Sequence, residues 1–562
     1  MTSKLKAPAK FSDVFPVALF VLCWGWLIWL TYYTSGHILD ADASNVLVLS
    51  NFLSQQNAIV STGWRYYTEI HVFNMPLVYS FFFHIFKSWQ LVRFFGTVTL
   101  QAILVLSYWW FCRQAKISRN AFFYSATVLL LPVSVTYARI VLLHGHYAFH
   151  ISLAFLIIGL ILKLATNRPK KNMMNGLLMA VFALLCVVTG MNGMRMLYIS
   201  LAPAFFITAY LYFRSAGFHK IAISEQKTFK EGFKGLAQSV RETAEGRAFL
   251  FTILGSGFNA FGIATNIFVL RKFFGFSTYY SLQTISPSAD ALSEQINDLM
   301  NLFGYRNGAK VFSLEGICSL LAVLGILLAI GFSLWYFFKK SGNEPYSKRF
   351  VATIFFGALI IESLVFLITG NYFIHYYTPV YVLIVLLIAV LLDEFPKRSI
   401  RMPRICAAVM LFAFVLSGAV TTNFLVNKPE GYATRYEGLS YSNINQVDQI
   451  KPAARYLADH GYTYGYAYYW DSSIVTELTD GKVEICAIVE PPNITYSFAN
   501  TKKAFWDINY HQGKTFLLLE KDDTSWQEYP ILEGGTQIYA DDYYKIIEYP
   551  APIPFERSPF SE

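Results

Sequence analysis

The chain has 562 residues, of which 55% are apolar, 17% are aromatic and only 14% are charged. A soluble globular chain carries about 25% charged residues, so this composition excludes an ordinary soluble protein and indicates that lipid surrounds most of the chain. The net charge of +9 does not indicate a nucleic-acid partner, because the basic residues are spread through short loops between apolar runs. The six cysteines have neither metal-ligand nor CxxC spacing, which argues against a zinc-cysteine site and a disulfide framework.

Apolar runs separated by short polar loops predict eleven transmembrane helices. The first run follows a lysine-rich N-terminus and precedes no small-residue cleavage site, so we expect an uncleaved helix that starts in the cytoplasm. The loops that this orientation places inside carry most of the Lys and Arg of the short loops. The predicted spans are residues 14–34, 91–112, 120–138, 146–165, 174–191, 196–213, 248–270, 311–338, 351–370, 374–393 and 405–424.

The larger polar segments lie on the outer side in this topology. The first outer loop, residues 35–90, has two short helical patterns, 44–56 and 76–87, which we expect to lie along the membrane interface. Residues 428–562 alternate helical and strand-like patterns and predict a small extracytoplasmic α/β domain with a partly parallel sheet. The predicted fold is therefore an α-helical polytopic membrane domain, residues 1–427, followed by this α/β domain. The unpaired cysteines and the aromatic-rich C-terminal region favour a bacterial plasma membrane.

The first outer loop concentrates chemically active side chains. Asp40 and Asp42 directly follow the first predicted helix, and Trp64, Tyr67 and Glu69 come soon after them. Carboxylates accept protons or hold divalent cations, and aromatic faces hold sugar rings, so this combination indicates carbohydrate chemistry. The alternatives are a polar boundary at the membrane surface, Asp42 as the cap of the following helix, and Glu69 as an ordinary loop carboxylate.

Short motifs in this layout resemble the GT-C superfamily of membrane glycosyltransferases. An Asp-containing motif after the first helix is followed by interfacial helices and by Pro76-Leu-Val-Tyr79 before the second membrane helix. A second match, His375-Tyr-Tyr-Thr-Pro379, stands at the outer start of a late helix. The chain departs from the family pattern at Met75, where members often have Pro, at His375, where Arg is common, and at Val382, where a second Pro is usual. The layout is similar to that of protein mannosyltransferases and lipid A aminoarabinose transferases.

The resemblance implies an inverting transferase that moves a hexose or pentose from a polyprenyl-phosphate carrier to an acceptor in the cell envelope. The acceptor would be a glycan, a lipid or a protein. In this family an acid of the first outer loop serves as base or metal ligand, which maps to Asp40 or Asp42 here. We favour Asp42 because it immediately precedes the predicted helical segment 44–56, and Glu69 is the second acidic candidate. The cofactor would be a divalent cation, Mg²⁺ or Mn²⁺, with Asp42 as a candidate ligand.

Basic side chains at outer helix ends are candidates for binding the phosphate of the carrier. Arg139 and Arg195 both stand at predicted outer ends, against the positive-inside trend, and guanidinium groups suit phosphate oxygens. Their alternative role is interfacial anchoring of the helix ends. His144 and His146 follow Arg139, and as a metal site their spacing is weak evidence. Together with Trp64, Tyr67, His375 and Tyr376 these four residues complete the predicted substrate-binding set.

Two other functions are compatible with a polytopic membrane chain. A transporter or flippase of lipid-linked sugars should show paired interrupted helices and charged residues near the bilayer midplane. The charged residues gather instead at one surface, which favours an enzyme. A receptor or assembly factor that binds through its C-terminal domain would leave the first-loop side chains without a role.

Overall fold

The structure is a computed structural model that describes residues 11–67, 70–166, 173–215, 218, 229–275, 289–338, 345–369, 377–394, 402–427, 446–491, 494–497 and 500–557. Within these residues the helices are, in chain order, α1 (Phe11–Thr34), α2 (Ala41–Gln56), α3 (Pro76–Phe83), α4 (Trp89–Gln114), α5 (Arg119–Leu129), α6 (Val135–Tyr137), α7 (Ala148–Thr166), α8 (Met173–Asn192), α9 (Ala202–Phe213), α10 (Phe229–Glu242), α11 (Ala244–Phe268), α12 (Ala289–Leu302), α13 (Leu314–Phe338), α14 (Tyr346–Thr369), α15 (Thr378–Glu394), α16 (Met402–Asn427), α17 (Gln446–Asp459) and α18 (Tyr469–Leu478).

Eight helices in the described part of the chain are long and apolar enough to cross a membrane. They belong to α1, α4, α7, α8, α11, α13, α14 and α16, and each coincides with a predicted span. Two further predicted spans correspond to shorter apolar helices, Leu197–Phe213 and Thr378–Asp393. The prediction of a polytopic helical membrane protein is confirmed.

The predicted span 120–138 is wrong as a single helix. Helix α5 ends at Leu129, and the chain turns before α6 begins at Val135. The break has a local cause, because Pro132 disfavours the helical conformation of the residue before it. Ser134 then caps the next helix by accepting a hydrogen bond from the Tyr137 backbone N–H at 3.1 Å.

Helix α6 continues directly into a π-helical segment, Ala138–Leu143. A π-helical turn widens the backbone; it occurs mostly as a single turn inside an α-helix and is frequent at functional sites. In this chain it carries Arg139 and leads into His144. A second π-helical segment, Leu197–Leu201, precedes α9 and follows Arg195.

The C-terminal region folds around a five-stranded sheet with the order β3-β2-β5-β7-β6. Strands β3, β2 and β5 are parallel, and β7 and β6 are antiparallel additions, so the predicted partly parallel sheet is confirmed. The strands of the chain are β1 (Trp64–Arg65), β2 (Tyr464–Tyr468), β3 (Glu484–Ile488), β4 (Thr501–Lys502), β5 (Thr515–Glu520), β6 (Thr536–Ala540) and β7 (Tyr544–Tyr549).

Contacts with the first outer loop and α4 hold the C-terminal domain in place. Strand β1 of the loop pairs antiparallel with β4 of the domain. Arg93 of α4 donates from Nε and Nη2 to the two carboxylate oxygens of Glu477 in α18. The Trp89 backbone N–H donates to Asp480 at 2.7 Å, and Gly481, at φ +73°, lies so close to the Trp89 ring that a side chain would clash with it. The domain is therefore packed onto one end of the membrane helices, at the start of α4.

Candidate active site

Asp40 makes more side-chain bonds than Asp42, the other described acid of the first outer loop. As the N-cap of α2, it accepts a hydrogen bond from the Ala43 backbone N–H on Oδ1 at 2.7 Å. Its Oδ2 lies 2.6 Å from Arg139 Nη2 and 3.3 Å from His144 Nδ1. The expectation that Asp42 caps a helix from Ser44 is wrong, because the helix starts at Ala41 and Asp42 stands in its first turn.

Burial alone would raise the pKa of Asp40, but His144, Arg139 and His146 together hold it well below its usual range. An acid with both oxygens occupied and so low a pKa is a poor proton acceptor. Asp40 is better suited to hold positive charge in place.

Asp42 has the opposite environment two residues further on. Its side chain is exposed to solvent, yet the surrounding protein removes enough water to raise the pKa of its carboxyl to about 6. The charge of Asp40 is the second cause of the rise, and the hydrogen bond from Tyr469 opposes it. A carboxyl group that is accessible and has a pKa close to neutral can act as a general base. The two neighbouring acids therefore differ in their surroundings: Asp40 is paired with Arg139 and His144, whereas Asp42 is accessible and has a raised pKa.

The hydroxyl of Tyr469 donates to Asp42 Oδ1 at 2.7 Å. This residue begins α18 immediately after β2, so it comes from the C-terminal domain. Tyr469 is not among the site residues predicted from the sequence. Its position at the carboxyl end of a strand in a parallel sheet, where binding residues commonly lie, was the available signal.

His144 connects Asp40 to the turn that follows α1. Its Nε2 lies 3.0 Å from the Ile38 carbonyl oxygen, which can only accept, so Nε2 carries a hydrogen. Nδ1 then faces the Asp40 carboxylate in one of two forms. In an imidazolium it carries a second hydrogen and donates it to Asp40. In a neutral ring it presents a lone pair, and a cation between the two groups would offset their repulsion. Gly145 follows in the left-handed region at φ +76°, where any other side chain would be strained, and an added Cβ would lie 2.5 Å from Leu100 Cδ1. This turn brings His146 back towards the same site.

Asp40, His144 and His146 form a group whose potential ligand atoms all lie within 4.8 Å of one another. One carboxylate and two imidazoles suit Zn²⁺ or Mn²⁺ better than Mg²⁺, which prefers oxygen ligands. The lone pair that a neutral His144 turns towards Asp40 fits such a cation. Asp42, the candidate metal ligand predicted from the sequence, is not part of this group.

Arg195 lies beside the same segment of chain. Its guanidinium is stacked over the ring of Tyr147, the residue after His146, at 5.0 Å from the ring centroid. It is also close enough to Glu362 in α14 for an electrostatic interaction. The end of α8 is tied to the first outer loop, since Asn192 Nδ2 donates to the Phe73 carbonyl at 3.0 Å. The fold thus brings both predicted arginines to the surroundings of the histidine pair.

The remaining predicted site residues fall into two groups. Trp64 is only 1% exposed and packs with Leu49, Leu53 and Tyr66, so in this conformation it is part of the core under the loop. Tyr67 is half-buried. Glu69, His375 and Tyr376 lie outside the described residues.

No protein-family model matches the chain, and no curated protein matches it. Among solved structures it is similar to ArnT from Cupriavidus metallidurans in the apo state, with 11% identity and a TM-score of 0.43 over 95% of this chain and 97% of ArnT. It is also similar to the Archaeoglobus fulgidus oligosaccharyltransferase in complex with Zn and sulfate, with 12% identity and a TM-score of 0.47 over 89% of this chain and 67% of that protein. A third match is the arabinofuranosyltransferase AftD from Mycobacteria, with 14% identity and a TM-score of 0.43 over 95% of this chain and 40% of AftD.

The sequence motifs resemble the GT-C glycosyltransferases, and these three structures agree with that resemblance in the course of the chain and no further. At such low identities and TM-scores the similarity concerns the course of the chain. Any activity has to follow from the side chains of the site.

Proposed function

We propose that the chain is an inverting glycosyltransferase that moves a sugar from a polyprenyl-phosphate carrier to a cell-envelope acceptor. The observation that carries this proposal is the pair of neighbouring acids with opposite surroundings. Asp40 is bound to Arg139 and His144, whereas Asp42 is accessible and has a raised pKa. An accessible base for the acceptor hydroxyl, with arginines close by for the departing phosphate, is what transfer from an anionic leaving group requires.

In the proposed reaction, Asp42 takes the proton from an acceptor hydroxyl while the hydroxyl oxygen attacks the anomeric carbon. A new carbon–oxygen bond forms as the bond between that carbon and the carrier phosphate breaks, and the phosphate leaves with the electron pair. This single displacement inverts the anomeric centre. Arg139 and Arg195 stabilise the negative charge that develops on the phosphate. Tyr67, His375 and Tyr376 remain candidates for binding the sugar.

We also propose that Asp40, His144 and His146 hold a divalent cation, Zn²⁺ or Mn²⁺. Such an ion would supply positive charge next to the departing phosphate. The acceptor remains a glycan, a lipid or a protein.

The proposed location is the outer face of a bacterial plasma membrane, with the N-terminus in the cytoplasm and the C-terminal domain outside. In that topology α2, the π-helical segment and the C-terminal domain all lie where a carrier lipid would present its phosphate. Residues 1–427 would form the membrane domain and residues 428–562 the outer domain.

The test uses purified protein in lipid vesicles with radiolabelled polyprenyl-phosphate sugars and a panel of envelope acceptors. Wild-type protein should transfer label, and Asp42→Asn should lower the rate by at least about 10²-fold, as loss of a general base does. Asp522→Asn, an equivalent change at an exposed acid of the C-terminal domain, is the control and should keep the wild-type rate. Full activity of Asp42→Asn would refute the proposal, and movement of the carrier across the bilayer without transfer would indicate a flippase.

A further inference from the structure

Four polar residues form a hydrogen-bonded chain between the first outer loop and the C-terminal domain. Asp42 and Asn45 are three residues apart on α2 and so lie on the same face of that helix. Tyr469 donates its hydroxyl hydrogen to Asp42 at 2.7 Å, and Asn500 Nδ2 donates to the Tyr469 hydroxyl oxygen at 3.1 Å. Asn45 Nδ2 donates to the Asn500 backbone carbonyl at 2.7 Å, which returns the connection to α2. Each domain thus contributes two of the four residues.

The hydrogen bonds of this chain all run in one direction and end on the carboxylate. Hydrogen bonds in series polarise one another, so the bond from Asn500 strengthens the one that Tyr469 makes with Asp42. Asn500 has φ +52°, in the left-handed region that asparagine adopts more readily than most residues. This conformation lets one residue offer its carbonyl to Asn45 and its side-chain amide to Tyr469.

We propose that Tyr469 is a positioning residue for Asp42, and that the C-terminal domain thereby completes the active site. The inference rests on the proposed function, in which Asp42 takes the proton of the acceptor. With Oδ1 held by Tyr469, the carboxylate has a fixed orientation, and Oδ2 is the oxygen left for the acceptor hydroxyl. A base held in one orientation reacts faster than one that must first rotate into place.

Docking of the domain does not depend on this hydrogen-bonded chain. The Arg93–Glu477 ion pair, the bond from Trp89 to Asp480 and the pairing of β1 with β4 hold the domain independently. Removing the Tyr469 hydroxyl should therefore leave the domain in place and change the rate of transfer alone. Loss of positioning and loss of docking can then be told apart by experiment.

The principal variant is Tyr469→Phe, measured in single-turnover transfer from a radiolabelled polyprenyl-phosphate sugar. The maximal rate should fall on the order of 10- to 100-fold, as expected for losing one hydrogen bond to a charged group. The donor concentration for half-maximal rate should stay within about twofold, because in the proposed reaction this hydroxyl acts through Asp42 and not on the carrier. Tyr549→Phe is the matched control, since it removes a buried hydroxyl that donates to the Leu532 carbonyl in the same domain. It should keep the wild-type rate.

A double-mutant cycle tests whether Asn500 acts through Tyr469. Asn500→Gly removes the amide and tolerates the left-handed backbone, and it serves as the second variant if Tyr469→Phe does not fold. It should lower the rate in the wild-type background and have no further effect in Tyr469→Phe. An additive loss, or a wild-type rate in Tyr469→Phe, would overturn the inference.

The proposed function and the inference fail in different ways. If Asp42→Asn is fully active, the proposed function is wrong and the inference falls with it. If Asp42→Asn is inactive while Tyr469→Phe transfers at the wild-type rate, the inference alone is wrong.

Discussion

Replacing Glu477 by Gln should loosen the C-terminal domain from the membrane helices, because the change leaves a buried arginine without its counter-charge. The side chains of Arg93 and Glu477 are 2% and 4% exposed, and two guanidinium nitrogens bond the two carboxylate oxygens. Breaking a buried pair by removing one partner costs about 3–5 kcal/mol of unfolding free energy. The double variant Arg93→Met/Glu477→Leu removes both charges and should lose far less than either single change, since buried pairs can often be replaced by apolar residues at little cost.

The assay is thermal and denaturant unfolding in detergent, combined with hydrogen exchange of residues 446–491. Glu477→Gln should lower the midpoint and increase exchange in α18, whereas the double variant should stay close to wild type. Lys514→Met is the control. It breaks the pair with Glu548, in which the lysine side chain is 67% exposed, and should cost no more than about 1 kcal/mol. If Glu477→Gln is as mild as Lys514→Met, or if the double variant is worse than both single ones, the ion pair does not hold the domain as we infer.

Two further predictions concern the metal site and the pH dependence of stability. Chelation followed by elemental analysis should show that added Zn²⁺ or Mn²⁺ binds the wild-type protein and binds His146→Ala at least about 10-fold more weakly. Equal binding by both proteins would place the ion elsewhere. Burial raises the pKa of Asp471 to about 6, although Gln446 and Tyr544 donate to it. The folded protein holds this proton more tightly than the unfolded chain. The resulting stability, at most about 3 kcal/mol, is complete below about pH 4 and is lost as the pH rises through about 6. Asp471→Asn should make the melting temperature depend less on pH between pH 4 and 7. An unchanged slope of melting temperature against pH would contradict this assignment.

Local patterns in the sequence predicted most of the membrane architecture correctly. An apolar run of membrane-spanning length has no stable place outside lipid, so its length and composition alone indicate the helix. The exception, span 120–138, shows the limit of counting apolar residues. Its hydropathy continues through residues 130–134, but Pro132 and the capping Ser134 break the helix.

The sequence alone could indicate that Asp40 and Asp42 matter, but it could not separate their roles. Both residues can cap a helix, and both follow the first membrane helix. The difference comes largely from Arg139 and His144, which lie about 100 residues further along the chain and pair directly with Asp40, whereas they act on Asp42 only through longer-range charge interactions. A pKa depends on every charge and solvent-excluding group nearby, and those neighbours are known only after folding.

What the sequence determined by itself is the class of molecule: a multi-pass membrane protein with acids, arginines and histidines at helix ends. Tertiary structure alone decided which of them meet. Tyr469 reaches Asp42 from 427 positions away, and the candidate cation site joins Asp40 to two histidines of another segment. The physical reason is the range over which each interaction acts. Hydropathy and capping act between neighbours in the chain, whereas hydrogen bonds and charges act between neighbours in space.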